Sequence, residues 1–306
     1  MRRLQLALNE QLRAAAGKLA EAGIEEPLWE ARWLLEHIAK IPVEKQLISG
    51  DLLLTPELIE AYDEAVTRRV AHEPFAYIVG EVNFHGYDFY VENCLIPRPE
   101  TELVVDAAVE AARQIAGEDR KLAVLDLCAG SGCIGISTAL QLFSYEIETE
   151  LTLADISEPA LATAKRNLER YDLEGKIIVG DLFEAIEGTF DLIVSNPPYI
   201  RSAELPELIA DVRDYEPAGA LDGGEDGLEF YRRIAAQAEA YLKPTAALIT
   251  EHGMGQRTAL RNIFKPWRKR GWQEKTRDDY RGIDRVYGYI RDEVKGRESD
   301  GDEHVE

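Results

Sequence analysis

The stretch Val124-Leu-Asp-Leu-Cys-Ala-Gly-Ser-Gly-Cys-Ile-Gly135 decides the fold. An apolar run of strand length passes straight into a turn of small residues and then into helical spacing. Gly130 and Gly132 let the backbone pass close to a ligand, and the helix start beyond them offers unpaired N–H groups. Outward from this unit the texture repeats. Helices are expected over 100–115, 134–141, 158–171, 228–241 and 256–267. Strands are expected over 121–127, 150–154, 176–179, 190–195, 246–250, 272–276 and 285–290. Repeated strand–helix units predict an α/β domain with a mostly parallel, seven-stranded sheet covered on both faces.

Upstream the pattern is different. Apolar residues at helical spacing (Leu4, Leu8, Leu12, Ala15, Leu19), a second run opened by Pro27 and closed by Pro42, and the cap pair Thr55-Pro56 predict a helical bundle. Alternation of aromatic and polar residues from Phe75 to Val91, around Gly80 and Gly86, predicts a β-hairpin joining it to the sheet domain. The expected division is a helical domain over 1–74, a hairpin connector over 75–98, the α/β domain over 99–291 and a disordered acidic tail over 292–306.

The chain has 306 residues, 45% hydrophobic and 30% charged, a balance that supports a real core. No apolar stretch reaches membrane-spanning length, and the N-terminus meets Glu10 and Arg13 without an apolar segment, so neither a membrane anchor nor a secretory signal is expected. Three cysteines, none in a CxxC pair, argue against a disulfide framework and predict a reducing cytoplasm. They share no cluster with the five scattered histidines, so no metal site is expected. The net charge of −22 disfavours nucleic acid, whose binders live by neutralising phosphates. Arginine outnumbers lysine about two to one, and the acidity fits either salt adaptation or an ordinary acidic protein.

Two constellations carry chemistry. Asp126 precedes the glycine turn, Asp155 ends the second strand about 25 residues beyond it, and Asp181 follows the third strand. A phosphate loop gains nothing from such carboxylates. Three acids at successive strand ends suit the cationic S-adenosylmethionine better than a dinucleotide, with Asp155 placed either to grip ribose hydroxyls or to cap the helix at Ser157-Glu158-Pro159. The second constellation is Asn196-Pro197-Pro198-Tyr199, directly after strand 190–195. The prolines remove two donors and leave carbonyls aimed outward, and Asn196 adds a side-chain acceptor. A planar NH2 group could give one proton to Asn196 and one to the Pro197 carbonyl while Tyr199 stacks on its face. Such help is needed because the lone pair of an amide or aromatic NH2 is delocalised.

Taken together, these motifs resemble the class I S-adenosylmethionine-dependent methyltransferases with an NPPY motif, whose fold is Rossmann-like. Among them the chain is similar to the HemK/PrmC family. That narrower likeness rests on Pro74–Gly80 (PFAYIVG), Leu95–Glu102 (LIPRPETE), Glu216–Leu228 (EPAGALDGGEDGL) and Asp278–Val286 (DDYRGIDRV). It implies transfer of a methyl group to the glutamine side-chain nitrogen (N5) of the GGQ motif in class-1 peptide chain release factors, with the N-terminal bundle engaging the protein substrate. Carried over, the cofactor loop falls on Cys128, Ala129, Gly130, Ser131 and Gly132, and Asp126 before it is expected to bind the cofactor at its cationic methionine end. The ribose acid becomes Asp155, the adenine side Asp181 and Leu182, and the substrate motif Asn196, Pro197, Pro198 and Tyr199. Asn196, Pro197 and Tyr199 are the expected catalytic group, and Arg98 and Glu100 are expected to shape a lid, with Arg98 on the substrate side. The chain departs from the pattern at Cys128, where the superfamily usually has glycine, and at Leu182, where some relatives have an aromatic residue. His252 is read as structural, and the protein is expected to act as a monomer. Three other readings compete: a glutamine methyltransferase of a ribosomal protein, an N6-adenine or N2-guanine methyltransferase of nucleic acid, and a non-catalytic cofactor-binding module.

Overall fold

A computed structural model describes residues 7–117 and 120–292. Apart from Asp292, the tail expected over 292–306 lies outside the described residues, as does Leu4 of the expected N-terminal apolar run. The chain divides into two units, Met1–Glu81 with Leu208–Tyr215, and Val82–Glu207 with Glu216–Glu306.

The first unit is helical. Its helices span Leu8–Glu21, Pro27–Ala39, Val43–Ile48, Pro56–Val70 and Phe75–Val79. Leu8, Leu12, Ala15 and Leu19 form one buried stripe, which packs with Leu34, Leu35, Tyr62 and Val66. Thr55 caps the fourth helix by accepting the Leu58 N–H at 3.3 Å, and Pro56 sits at the first helical position, where its missing donor costs nothing. Two details differ from the sequence expectation. Val43–Ile48 is too short to show a period, and Phe75–Val79 is a helical turn ended by Gly80 at φ 81° rather than an arm of the hairpin. The hairpin itself is β1 (Glu81–Phe84) with β2 (Tyr87–Tyr90).

The second unit holds the seven-stranded sheet: β3 (Lys121–Leu127), β4 (Glu148–Asp155), β5 (Gly175–Val179), β6 (Phe190–Ser195), β7 (Leu242–Glu251), β8 (Gln273–Asp278) and β9 (Asp284–Arg291). The order is β5-β4-β3-β6-β7-β9-β8. The strands from β5 to β7 pair in parallel, while β9 pairs antiparallel with both β7 and β8. Alternate residues serve opposite faces, as the pleat dictates. Val124, Leu192 and Val194 join the core under helices Glu102–Ile115, Cys133–Phe143 and Glu158–Arg170. Leu125, Leu127, Ile193 and Leu248 join a second core with Tyr231, Leu260, Phe264 and Trp267. Because both faces are covered, the central strands read as continuous apolar runs.

Strand register positions the site. Leu127 lies beside both Ala154 and Ser195, and Ser195 lies beside Thr250. The residues that follow, Cys128, Asp155, Asn196 and Glu251, therefore emerge along one carboxyl edge, the usual place for ligands in open α/β sheets.

Candidate active site

A cavity of about 610 Å³ opens at this edge. Its wall includes the turn Cys128–Ala129–Gly130–Ser131, together with Asp155, Asp181, Leu182, Asn196 and Pro198. The turn is held in left-handed backbone at three positions: Cys128 at φ 60°, Gly130 at φ 55° and Gly132 at φ 78°. Glycine takes this conformation freely, whereas a Cβ costs about 1–2 kcal/mol there, so the cysteine is strained. Burial pushes the Cys128 thiol well up, which leaves it no nucleophilic character at neutral pH. From beneath, the buried Asn167 donates to the Ser131 carbonyl at 2.9 Å and to the Tyr90 carbonyl at 3.0 Å, fixing the turn against β2.

Asp155 is built into the turn. One oxygen accepts the Gly130 N–H at 2.9 Å and the other accepts its own neighbour's, Ser157 N–H, at 2.9 Å. The helix cap is Ser157, whose hydroxyl accepts the Ala160 N–H, so Asp155 is not the cap residue. Burial raises the Asp155 carboxyl above its usual range, while the N–H groups of Ser157, Gly130 and Ile156 pull it back. Each oxygen keeps a further lone pair for a ligand hydroxyl.

Asp126 requires a correction. It was expected beside the cofactor, but it is fully buried and lies off the cavity wall. It sits one residue before the strand end, on the face that packs under helix Cys133–Phe143, and accepts the Gly135 N–H at 2.7 Å. A Cβ on Gly135 would come within 2.9 Å of it, so the glycine makes that approach possible. Burial drives the Asp126 carboxyl well up, and the Asp155 charge adds to the effect. Gly132 likewise caps helix Cys133–Phe143 rather than facing the cavity, and Pro197 is absent from the wall.

At the substrate motif, Asn196 lines the cavity and its Nδ2 donates to Thr101 Oγ1 at 3.4 Å. The Tyr199 hydroxyl donates to Glu251 Oε1 at 3.1 Å, and burial with that carboxylate behind it raises the phenol far above its usual range. The loop after the motif closes on Tyr199 so tightly that a Cβ on Gly223 would fall 2.7 Å from the Tyr199 Cα. Arg98 is ion-paired with the buried Glu216, whose other oxygen accepts the Ile96 N–H at 3.1 Å. The LIPRPETE and EPAG segments are thereby locked together, and Arg98 itself stays off the cavity wall. Asp181 lines the cavity, paired to Arg233 at 2.7 Å. His252 is fully buried, its Nδ1 donating to the Gly253 carbonyl at 2.8 Å, and burial lowers its pKa, so it stays neutral. Among the described residues no group of three or more His, Cys, Asp or Glu could hold a metal ion.

Sequence reasoning passed over Thr101 and Glu251 as site residues. Thr101 stands inside the quoted LIPRPETE segment, and an acid ending the apolar run of β7 is itself a signal for Glu251. The charges on the wall test the cofactor. Asp155, Asp181, Asp222 and Glu229 face one guanidinium, Arg233, which is already paired. A dinucleotide pyrophosphate would meet repulsion here. A cationic sulfonium with an ammonium group meets attraction, and the volume falls within the roughly 300–1,000 Å³ of small-molecule sites. S-adenosylmethionine fits.

This unit is the catalytic domain of a class I S-adenosylmethionine-dependent methyltransferase. The PrmC N-terminal domain family matches residues 10–80, and the methyltransferase small domain family matches residues 104–212. A release factor glutamine methyltransferase of Geobacter sulfurreducens is 41% identical over 275 residues, 89% of this chain and 92% of that one. The chain belongs to the release factor glutamine methyltransferase family. A bifunctional methyltransferase of Rickettsia conorii is 36% identical over 85% of this chain, which spans about half (54%) of that relative's length. A solved protein-(glutamine-N5) methyltransferase (release factor-specific) from Alicyclobacillus acidocaldarius is 30% identical, covering 66% of this chain and 97% of that one, at a TM-score of 0.40.

Proposed function

We infer that this protein transfers a methyl group from S-adenosylmethionine to the side-chain amide nitrogen of the glutamine in the GGQ motif of class-1 release factors. The observation that carries the reading is Asn196, on the cavity wall with its nitrogen committed to Thr101 and its oxygen left as an acceptor. When bound, S-adenosylmethionine supplies a methyl group on a positively charged sulfur. Asp155 and the turn at Gly130 would hold its ribose, and the acidic wall its charge. Asn196 Oδ1 takes one N–H of the glutamine amide and the Pro197 carbonyl takes the other. Held so, the nitrogen keeps its lone pair aimed for in-line displacement. Asparagine has no usable pKa, so it orients and does not abstract a proton. The methylated amide is strongly acidic and gives its proton to solvent.

In this reading the helical domain (1–74) recognises the release factor, the hairpin segment (75–98) connects it to the catalytic domain (99–291), and the 292–306 tail takes no part. The net charge of −22 supports a protein partner over nucleic acid. Among the described residues no helix is long and apolar enough to cross a membrane. A monomer working in the cytoplasm, where release factors act, completes the proposal. The test is to incubate the protein with labelled S-adenosylmethionine and, separately, a release factor, a large-subunit ribosomal protein and tRNA or DNA. Label on the GGQ glutamine alone is expected. Transfer to another acceptor with none to the release factor overturns the reading.

A further inference from the structure

The NPPY motif is anchored at its start by the sheet: Ser195 ends β6, and its hydroxyl donates to the Leu127 carbonyl at 2.7 Å. Pro197 and Pro198 each have φ locked by the ring, so few torsions remain free between Asn196 and Tyr199. Fixing the peptide unit at the far end therefore sets where the Asn196 side chain and the Pro197 carbonyl point. That unit joins Tyr199 to Ile200, and both its polar groups are held. The Ile200 N–H donates to the Leu221 carbonyl at 3.0 Å, and the Tyr199 carbonyl accepts from Gln256 Nε2 at 3.1 Å. The same Nε2 donates to the Gly227 carbonyl at 3.1 Å, and Gln256 Oε1 accepts the Gly253 N–H at 2.9 Å. All three partners of Gln256 are backbone groups, each either a donor or an acceptor and never both. Its carboxamide therefore has one orientation: flipped, its oxygen would face two carbonyls and its NH2 group an N–H.

We propose that Gln256 is a positioning residue for methyl transfer, a clamp that holds the NPPY backbone so that its acceptors meet the glutamine amide. The proposal rests on the glutamine-amide reading above. Gln256 lies off the cavity wall, so it acts through Tyr199. It ties three segments together: the substrate motif, the loop that follows it at Gly227, and the turn after β7 at Gly253. The fold makes room for this knot. A Cβ on Gly227 would fall 2.4 Å from the Tyr199 carbonyl oxygen and 2.8 Å from Gln256 Nε2, and Gly227 itself stands at φ 73°. The Tyr199 hydroxyl bond to Glu251 holds the ring, whereas Gln256 holds the peptide unit. Without the clamp that unit keeps only its Ile200 N–H bond, and the acceptors drift from in-line geometry, where about 1 Å costs about 10²-fold in rate. Gln256 is half-buried, so water can satisfy its partners when it is replaced. The fold then survives while the aim is lost.

The experiment compares Gln256→Glu and Gln256→Met with the wild type in the full chain. Glu keeps an acceptor for the Gly253 N–H and loses both donors; Met has a similar length and neither. Carbonyl carbon-13 in tyrosine beside nitrogen-15 in isoleucine reports the Tyr199 carbonyl with no acceptor present. Tyr-Ile pairs stand at 77–78, 199–200 and 289–290, and Ile200→Val identifies the signal of Tyr199 by its loss. In both Gln256 variants this signal should shift while those of Tyr77 and Tyr289 stay. On the release factor, kcat should fall about 10- to 100-fold in both, the scale of a misplaced reacting group, with KM and cofactor affinity within about twofold. In an Asn196→Ala background the Gln256→Met loss should shrink below about threefold, as expected of two residues that act through one geometry. An unmoved Tyr199 signal, a wild-type kcat in either variant, or an undiminished loss in the Asn196→Ala background overturns the proposal. Glu and Met are read side by side, so misfolding of one leaves the other to decide. The carbonyl signal needs no acceptor: a wild type inactive on the release factor counts against that reading and leaves the clamp to be decided by the spectrum.

Discussion

Replacing Asp155 by alanine separates what this carboxylate does for the fold from what it does for the cofactor. In the protein it accepts two backbone N–H groups, from Gly130 and Ser157, each at 2.9 Å. Losing them costs about 0.5–1.5 kcal/mol apiece, so about 1–3 kcal/mol in all. The cost is offset in part because the buried carboxylate is itself disfavoured, as its raised pKa records. Toward the cofactor, a hydrogen bond to a charged group contributes about 1.5–3 kcal/mol. At 1.4 kcal/mol per factor of ten, Kd for S-adenosylmethionine rises about 10- to 140-fold. Calorimetric titration reads the affinity and a denaturant melt reads the stability. Asp155→Asn sharpens the comparison, since its oxygen still takes one N–H while its charge is gone. It should recover part of the stability and little of the affinity. A folded Asp155→Ala that binds S-adenosylmethionine with unchanged Kd would refute the ribose assignment.

Three further outcomes are expected. Asn196→Ala should lower kcat about 10²- to 10³-fold, the scale for one preorganised polar group, with cofactor affinity nearly unchanged; Asn196→Asp should bind the cofactor as well and turn over weakly, and wild-type turnover in Asn196→Ala would remove NPPY from the site. Cys128→Gly should stabilise by about 0–1.5 kcal/mol, since it relieves a left-handed strain of about 1–2 kcal/mol against a glycine entropy cost of about 0.5–1 kcal/mol; a lower denaturation midpoint contradicts this. Asp126 holds its proton in the folded state to a pH above its ordinary 3.8, so its contribution is fully present below that value and lost as pH rises through the folded value. Asp126→Asn, whose oxygen can still accept the Gly135 N–H, should therefore gain stability over the wild type as pH rises above 3.8, and a gap that shrinks with rising pH would show the sign to be wrong.

The sheet was legible because its signal is local. Uninterrupted apolar runs at β3, β6 and β7, each punctuated by small or polar residues, reveal buried parallel strands without knowledge of their partners. Asp155 and Asn196 followed from the same logic, since each stands where its strand stops. Asp126 misled because strand ends were treated as equivalent. A residue one step before the end can lie on either face of the pleat, and this one lies under helix Cys133–Phe143. Thr101 and Glu251 were hidden for a different reason. Their bonds to Asn196 and Tyr199 span 95 and 52 residues, and no local period records a contact of that range. Val43–Ile48 and Phe75–Val79 lack the length for any periodicity to show.

The distribution of charge around the cavity follows the reaction it must allow. A sulfonium cofactor calls for anions, and the wall supplies them as Asp155, Asp181, Asp222 and Glu229. The acceptor end needs the opposite. An anion touching the reacting nitrogen's neighbours would stabilise the bound cofactor's charge, which disappears as the methyl group leaves, and so would raise the barrier. NPPY offers neutral acceptors there. The acid bonded to it, Glu251, is buried, and the Tyr199 hydroxyl occupies one of its oxygens. Binding charge and orienting dipoles are thus kept apart, with the Tyr199 hydroxyl set between the motif and Glu251. The oxygen of Tyr199 serves that separation: Phe at this position would remove the hydroxyl that occupies Glu251 Oε1.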